Sequence, residues 1–222
     1  MKSVIGLLIL VTCLQCALWG QSRDSSGIVR PNPTYSPAVQ AGQDPREYLA
    51  KAEARVAAGG DAESSAGLLA RAAKAALEAG ENDKAKDYAQ KALQIADDVA
   101  AKQTKRNWPT PRGYGAVPIV DLYANFVLGR LAILQGDIRS AERYLLASGQ
   151  AARYPQLRTV PPNMSLALEL LRRGDNQSRE AVQEFIQGWR PFWNYSPNKL
   201  DKWLLDVSAG RTPDFGDYLL QL

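Results

Sequence analysis

The chain contains no histidine, and its only two cysteines, Cys13 and Cys16, fall within the first sixteen of 222 residues. Without imidazole there is no histidine-based triad, no histidine metal ligand and no histidine pH switch. A strong excess of either charge is missing as well. The 27 basic and 23 acidic residues leave +4, which is too weak a balance to argue for nucleic acid or an anionic membrane surface. No Gly-rich phosphate loop is present, because Gly113 and Gly115 are followed by neither a lysine-threonine pair nor a strand-to-helix pattern. Alternating β-branched runs are nearly absent outside Ile119-Val120. What is there, 45% hydrophobic and 23% charged positions, suffices for one or two domains with a real core.

The first 20 residues, MKSVIGLLILVTCLQCALWG, set Lys2 ahead of an uncharged run and end on small or uncharged residues before Gln21. That is the layout of a secretory signal, and the run is short of the ~20 apolar residues of a membrane span. Cleavage near Gly20 is expected, which leaves a mature periplasmic or secreted chain with no cysteine. An uncleaved anchor and a bacterial lipoprotein are the alternatives; either brings the protein to a membrane. Thr12 and Gln15 oppose the lipoprotein, since a lipobox sets a small Gly, Ala or Ser directly before its cysteine.

Residues 21–43 hold Pro31, Pro33 and Pro37 among scattered apolar residues and read as a disordered linker. Order is expected from residue 44 to 222. Asp44 is placed to cap a helix that Pro45 opens, and Gly59-Gly60 to stop it. Beyond it, helical spacings recur around a glycine. Leu69, Ala72, Ala73 and Ala76 precede Gly80, with Ala85, Ala89 and Ala92 after it. Leu128, Gly129 and Ala132 precede Gly136, with Ala141, Leu145 and Ser148 after it. Such spacing predicts antiparallel helices joined by a glycine turn, with Asn82 or Asp137 capping the second helix and small residues at the crossing. A divergent third pair is expected around Gly174, and Pro109, Pro111, Gly113, Gly115 and Pro118 predict an inserted loop over 101–122.

Leu128-Gly129, Ala132, Gly136-Asp137 and Ala141 resemble the signature of the tetratricopeptide (TPR) repeat family. Residues 144–216, with YLLASG, PQL, PPNMSLALELL, FW, KLDKWLLDVSAG and PDFG, resemble a group of exported bacterial TPR-like proteins of undefined function. The resemblance implies an all-α fold: a short TPR-like solenoid of about three helical hairpins with an aromatic C-terminal cap. Trp189, Phe192, Trp193, Trp203 and Phe215 supply that cap, the alternative being an aromatic binding pocket. The resemblance further implies a non-catalytic adaptor or scaffold that binds a protein or peptide in the groove of its first helices. Carried across, the groove positions are Lys74, Tyr123, Phe126 and Arg130, with Phe126 equally readable as core.

Catalytic patterns are few. Ser196 and Lys199 fit a short Ser-x-x-Lys string whose companion elements are missing. Asp97, Asp98 and Glu142 sit among polar residues and read as solvated or salt-bridged helix faces. Lys102, Lys105, Arg106, Trp108 and Arg112 join charge to an aromatic ring, but an exported chain rarely meets nucleic acid. No cofactor and no metal is expected, and no nucleic-acid partner. The competing class is an envelope enzyme or glycan-binding protein that relies on carboxylates and the C-terminal aromatics.

Overall fold

A computed structural model describes residues 44–105, 117–154, 161–173, 175–193 and 196–219. The expected signal, its cysteines, the linker, Trp108, Arg112 and Gly174 lie outside these described residues. Among them the chain forms eight α-helices and two short 3-10 turns, with no strand. In order these are α1 (Pro45–Ala57), α2 (Ala62–Glu78), α3 (Asn82–Lys105), α4 (Val117–Leu134), α5 (Ile138–Gly149), α6 (Ser165–Arg173), α7 (Asn176–Trp189) and α8 (Pro197–Ser208). No described helix is long and apolar enough to cross a membrane.

Local chemistry fixes the ends. Four helices begin at an aspartate whose carboxylate accepts a backbone N–H of the first turn: Asp44 from Arg46, Asp61 from Ser64, Asp137 from Ser140 and Asp175 from Ser178. Gly80 and Gly136 close α2 and α4 at φ +77° and +78°. After them Glu81 N donates to Ala76 O at 2.8 Å and Asp137 N to Ala132 O at 2.9 Å, so each glycine is the left-handed residue of a helix-ending turn. Both turns last three residues and fold the next helix back on the one before.

Two expectations need correction. Asn82 is the first helical residue of α3 rather than its cap; Glu81 stands before it, and its carbonyl accepts Ala85 N at 2.9 Å. The expected loop over 101–122 is shorter, since α3 runs on to Lys105 and α4 already begins at Val117. Pro118 does not break α4, because a proline in the first turn costs no hydrogen bond there.

Helix α2 packs on α1, α3 and α4, which is why almost its whole circumference is covered. The seam with α3 is made of alanine: Ala66, Ala70, Ala73 and Ala76 on α2 and Ala85, Ala89, Ala92 and Ala96 on α3 are all buried. Methyl side chains let the two axes approach closely. At one edge α1 is tied to α3, where Glu53 accepts from Tyr88 Oη at 2.9 Å and Lys84 Nζ at 3.2 Å. Further along, a Cβ on Gly129 of α4 would stand 2.5 Å from Leu166 Cδ2 and 3.3 Å from Tyr144 Cβ. The residue of α5 that meets Gly129 is therefore Tyr144, one turn beyond the expected Ala141, which is itself fully buried.

The C-terminal third is packed differently. Trp189, Trp193, Trp203 and Phe215 are buried, and Phe192 is half-buried. Trp193 stacks on Trp203 with ring centres 6.4 Å apart, while Tyr218 meets both rings edge-on at 5.4 and 5.1 Å. Phe215 meets Trp203 edge-on at 5.2 Å, and Trp203 Nε1 donates to Asp214 O. The tail is held to the segment before α6 by Met164 N, which donates to Tyr218 O at 3.0 Å.

Candidate functional site

Lys74 and Tyr123 do come together, but not as an open grip. Lys74, expected on an exposed groove, is only 4% exposed because α4 packs across this side of α2. Its ammonium lies 3.6 Å from Glu78 Oε1 one turn on and 5.9 Å from the centre of the Tyr123 ring. Burial pushes the Lys74 ammonium below its ordinary range, and the Glu78 carboxylate pulls it partly back. Burial raises Glu78 in turn, and Lys74 opposes that rise. Neither Glu78 oxygen has a hydrogen-bond partner at normal geometry, so the pair is held by charge alone.

Phe126 is core, 3% exposed. Arg130 and Tyr123, two turns apart on one face of α4, keep part of their surface in solvent. Arg130 Nη2 lies 2.8 Å from Glu169 Oε1 and so ties α4 to α6. Of the four expected groove residues, then, two reach solvent and two are packed inside.

Glu142 is salt-bridged, one of the two settings expected for it, but it is buried rather than on an open face. It is 4% exposed, gripped by Arg139 Nη1 at 3.1 and 3.0 Å, and it accepts from Ser178 Oγ of α7 at 2.8 Å. Asp175 Oδ2 lies 3.0 Å from the same hydroxyl. Two carboxylates thus converge on one hydroxyl. The Ser178 N–H bond holds Asp175 below the usual carboxylate range, and Arg139 neutralises Glu142. A proton donor and a carboxylate partner are what hydrolysis needs, and this pair instead fastens α5 to α7. Lys199 Nζ lies 4.6 Å from the centre of the Tyr218 ring, a cation over an aromatic face. Among the described residues no group of three or more acidic side chains gathers to hold a metal.

Among the cavities lined by described residues, two bear on function. One of about 460 Å³ lies between α5 and α7, walled by Phe185 and Phe192 with Gln150, Glu184 and Gln187 at its edge. The other, about 280 Å³, lies between α1 and α2 and is lined by Tyr48, Lys51, Ala52 and Arg55 of α1 and by Leu68 and Arg71 of α2. This second set went unnoticed in the sequence. The signal was present as Tyr48, Ala52 and Arg55 at helical spacings with Leu68 and Arg71 a turn apart, but only the packing of α1 on α2 joins them.

Set against known proteins, the chain matches no family model, no curated protein and no solved structure.

Proposed function

We propose that the chain is an exported, non-catalytic helical-repeat protein, TPR-like in its stacking, that binds a protein or peptide as an adaptor. The observation that carries this reading is the docking of α4 against both helices of the preceding pair, α2 and α3. Stacked repeats bury their hydrophobic faces in this way, each unit against its neighbour. The pairs α4–α5 and α6–α7 continue the pattern, with α6 against α4 and α5, and α7 against α5. In this reading the aromatic group of α7, α8 and the tail closes the open end of the stack. Tyr123 and Arg130 supply the partner-facing surface, and Lys74 supports it from beneath.

The test is capture from an envelope extract by the mature chain, repeated with Tyr123→Ala and Arg130→Gln variants whose urea midpoints match the parent. A defined partner held by the parent and lost by both variants supports the adaptor. Retention by both variants removes this face from the reading.

A second reading rests on the 460 Å³ cavity. Aromatic walls with amides and one carboxylate at the rim suit a sugar ring, whose faces are apolar and whose edges are hydroxyls. Titration with soluble peptidoglycan fragments, followed by tryptophan fluorescence, separates the two. A saturable change lost in Phe192→Ala favours the glycan, and an unchanged spectrum eliminates it.

A further inference from the structure

The cavity between α1 and α2 carries positive charge that no carboxylate among the described residues answers. Arg55 and Arg71 both line it, and among the described residues neither has a carboxylate partner. Lys51 also lines it but lies 2.7 Å from Glu47, with both side chains more than half exposed, so its charge is largely answered. Arg55 has a plain structural role in the last turn of α1, where a cation suits the helix dipole. Arg71 has none, for it sits near the middle of α2. Two arginines without a carboxylate partner at the wall of one small space raise the potential there and favour an anion.

The walls narrow the kind of anion. Ala52 and Leu68 give apolar surface, Tyr48 gives a half-buried ring, and the volume of about 280 Å³ lies just below the ~300–1,000 Å³ seen for small-molecule sites, which suits a small ligand. We propose that this cavity binds the phosphate group of a small phosphate monoester, with Arg55 and Arg71 on the phosphate oxygens and Leu68 and Ala52 against the ester carbon. A phosphate monoester carries about −1.5 to −2 at neutral pH, which matches two free guanidinium groups better than a carboxylate does. Guanidinium forks also fit phosphate geometry. Tyr48 reports the same field: burial and Glu78 raise its phenol, while Arg71 and Arg55 draw it back down. Glu78, the acid that acts on Tyr48, is itself paired with Lys74. The assignment is independent of the adaptor reading and survives its failure.

The experiment is calorimetric titration of the folded protein with phenyl phosphate, benzoate, phenol and inorganic phosphate. Saturable one-to-one binding of phenyl phosphate is expected, with phenol silent and with benzoate and inorganic phosphate each weaker by roughly tenfold or more, since hydrogen bonds to charged groups and apolar contact both contribute. Arg71→Gln and Arg55→Gln should each weaken phenyl phosphate roughly tenfold at an unchanged circular dichroism spectrum. Arg55 is exposed, so its variant keeps the test open should Arg71→Gln fold poorly. No saturable binding of phenyl phosphate, or binding unchanged in a folded Arg55→Gln variant, overturns the site. Benzoate or inorganic phosphate binding as tightly as phenyl phosphate overturns the assignment to a phosphate ester.

Discussion

The α2–α3 seam and the α7–α8 end are both buried interiors, yet they are filled by opposite means. The first is rich in buried alanine, whose small side chains permit close approach of the helices. The second is filled with the large buried rings of Trp189, Trp193, Trp203, Phe215 and Tyr218. A close seam tolerates nothing larger and loses little when trimmed; an aromatic filling tolerates trimming least. The two halves should therefore fail under opposite substitutions.

The largest effect is expected at Trp203, which touches Trp193, Phe215 and Tyr218 together. Trp203→Ala should cost about 3–5 kcal/mol in urea unfolding, as large aromatic truncations do. A loss below about 1 kcal/mol means the rings fill no shared core. Lys74 comes next. A lysine on an exposed face changes stability by less than about 0.5 kcal/mol, but Lys74 is buried against Glu78, and removing one buried partner typically costs about 3 kcal/mol. Lys74→Met alone should thus be clearly destabilising, while Lys74→Met with Glu78→Leu should recover most of the loss. Equal loss in the single and double variants would rule out the pair as the cause.

At buried alanines, in the α2–α3 seam and in α5, the sign of the change matters more than its size. Ala89→Leu in α3 and Ala141→Leu in α5, both at fully buried positions, should each cost about 1–3 kcal/mol by forcing helices apart or side chains off their rotamers. An unchanged urea midpoint at Ala89 would mean that the seam has slack and that the comparison with the aromatic end is wrong.

The turns and the helical rhythm were legible because they are local. A left-handed glycine at residue 80 or 136, or an aspartate before a helix, writes its geometry into a few adjacent residues. Whether a charged residue on that rhythm faces water was not legible. Lys74 and Glu142 carry the sequence marks of solvated positions, and each is buried because a helix distant in sequence, α4 or α7, packs over it. Asn82 shows the same limit at shorter range: a good capping residue lost the cap by one position to the preceding turn. The basic cavity needed both α1 and α2 in place before Arg55 and Arg71 became neighbours.

The smallest expected effect reaches both halves equally and depends on pH. Asp61 opens α2, Asp137 opens α5 and Asp175 opens α7, and each carboxylate lies below its ordinary range of about 3.8 because the charged form accepts first-turn N–H or hydroxyl bonds from the serine three residues on. A carboxylate held lower in the folded state than in the unfolded one stabilises the fold above its unfolded value. That contribution is lost as pH falls from near 3.8 through the folded value. Asparagine caps a helix about as well as aspartate but does not titrate. The triple variant Asp61→Asn, Asp137→Asn, Asp175→Asn should therefore match the parent near pH 7 and unfold less steeply with acid below pH 4. Asp175→Ala alone, which removes a cap outright, should cost about 1 kcal/mol at either pH 5 or pH 7. Urea midpoints measured from pH 2.5 to 7 decide it: parallel acid limbs for parent and triple variant would mean that other carboxylates, Glu53 under Tyr88 and Lys84 first among them, carry the acid sensitivity instead.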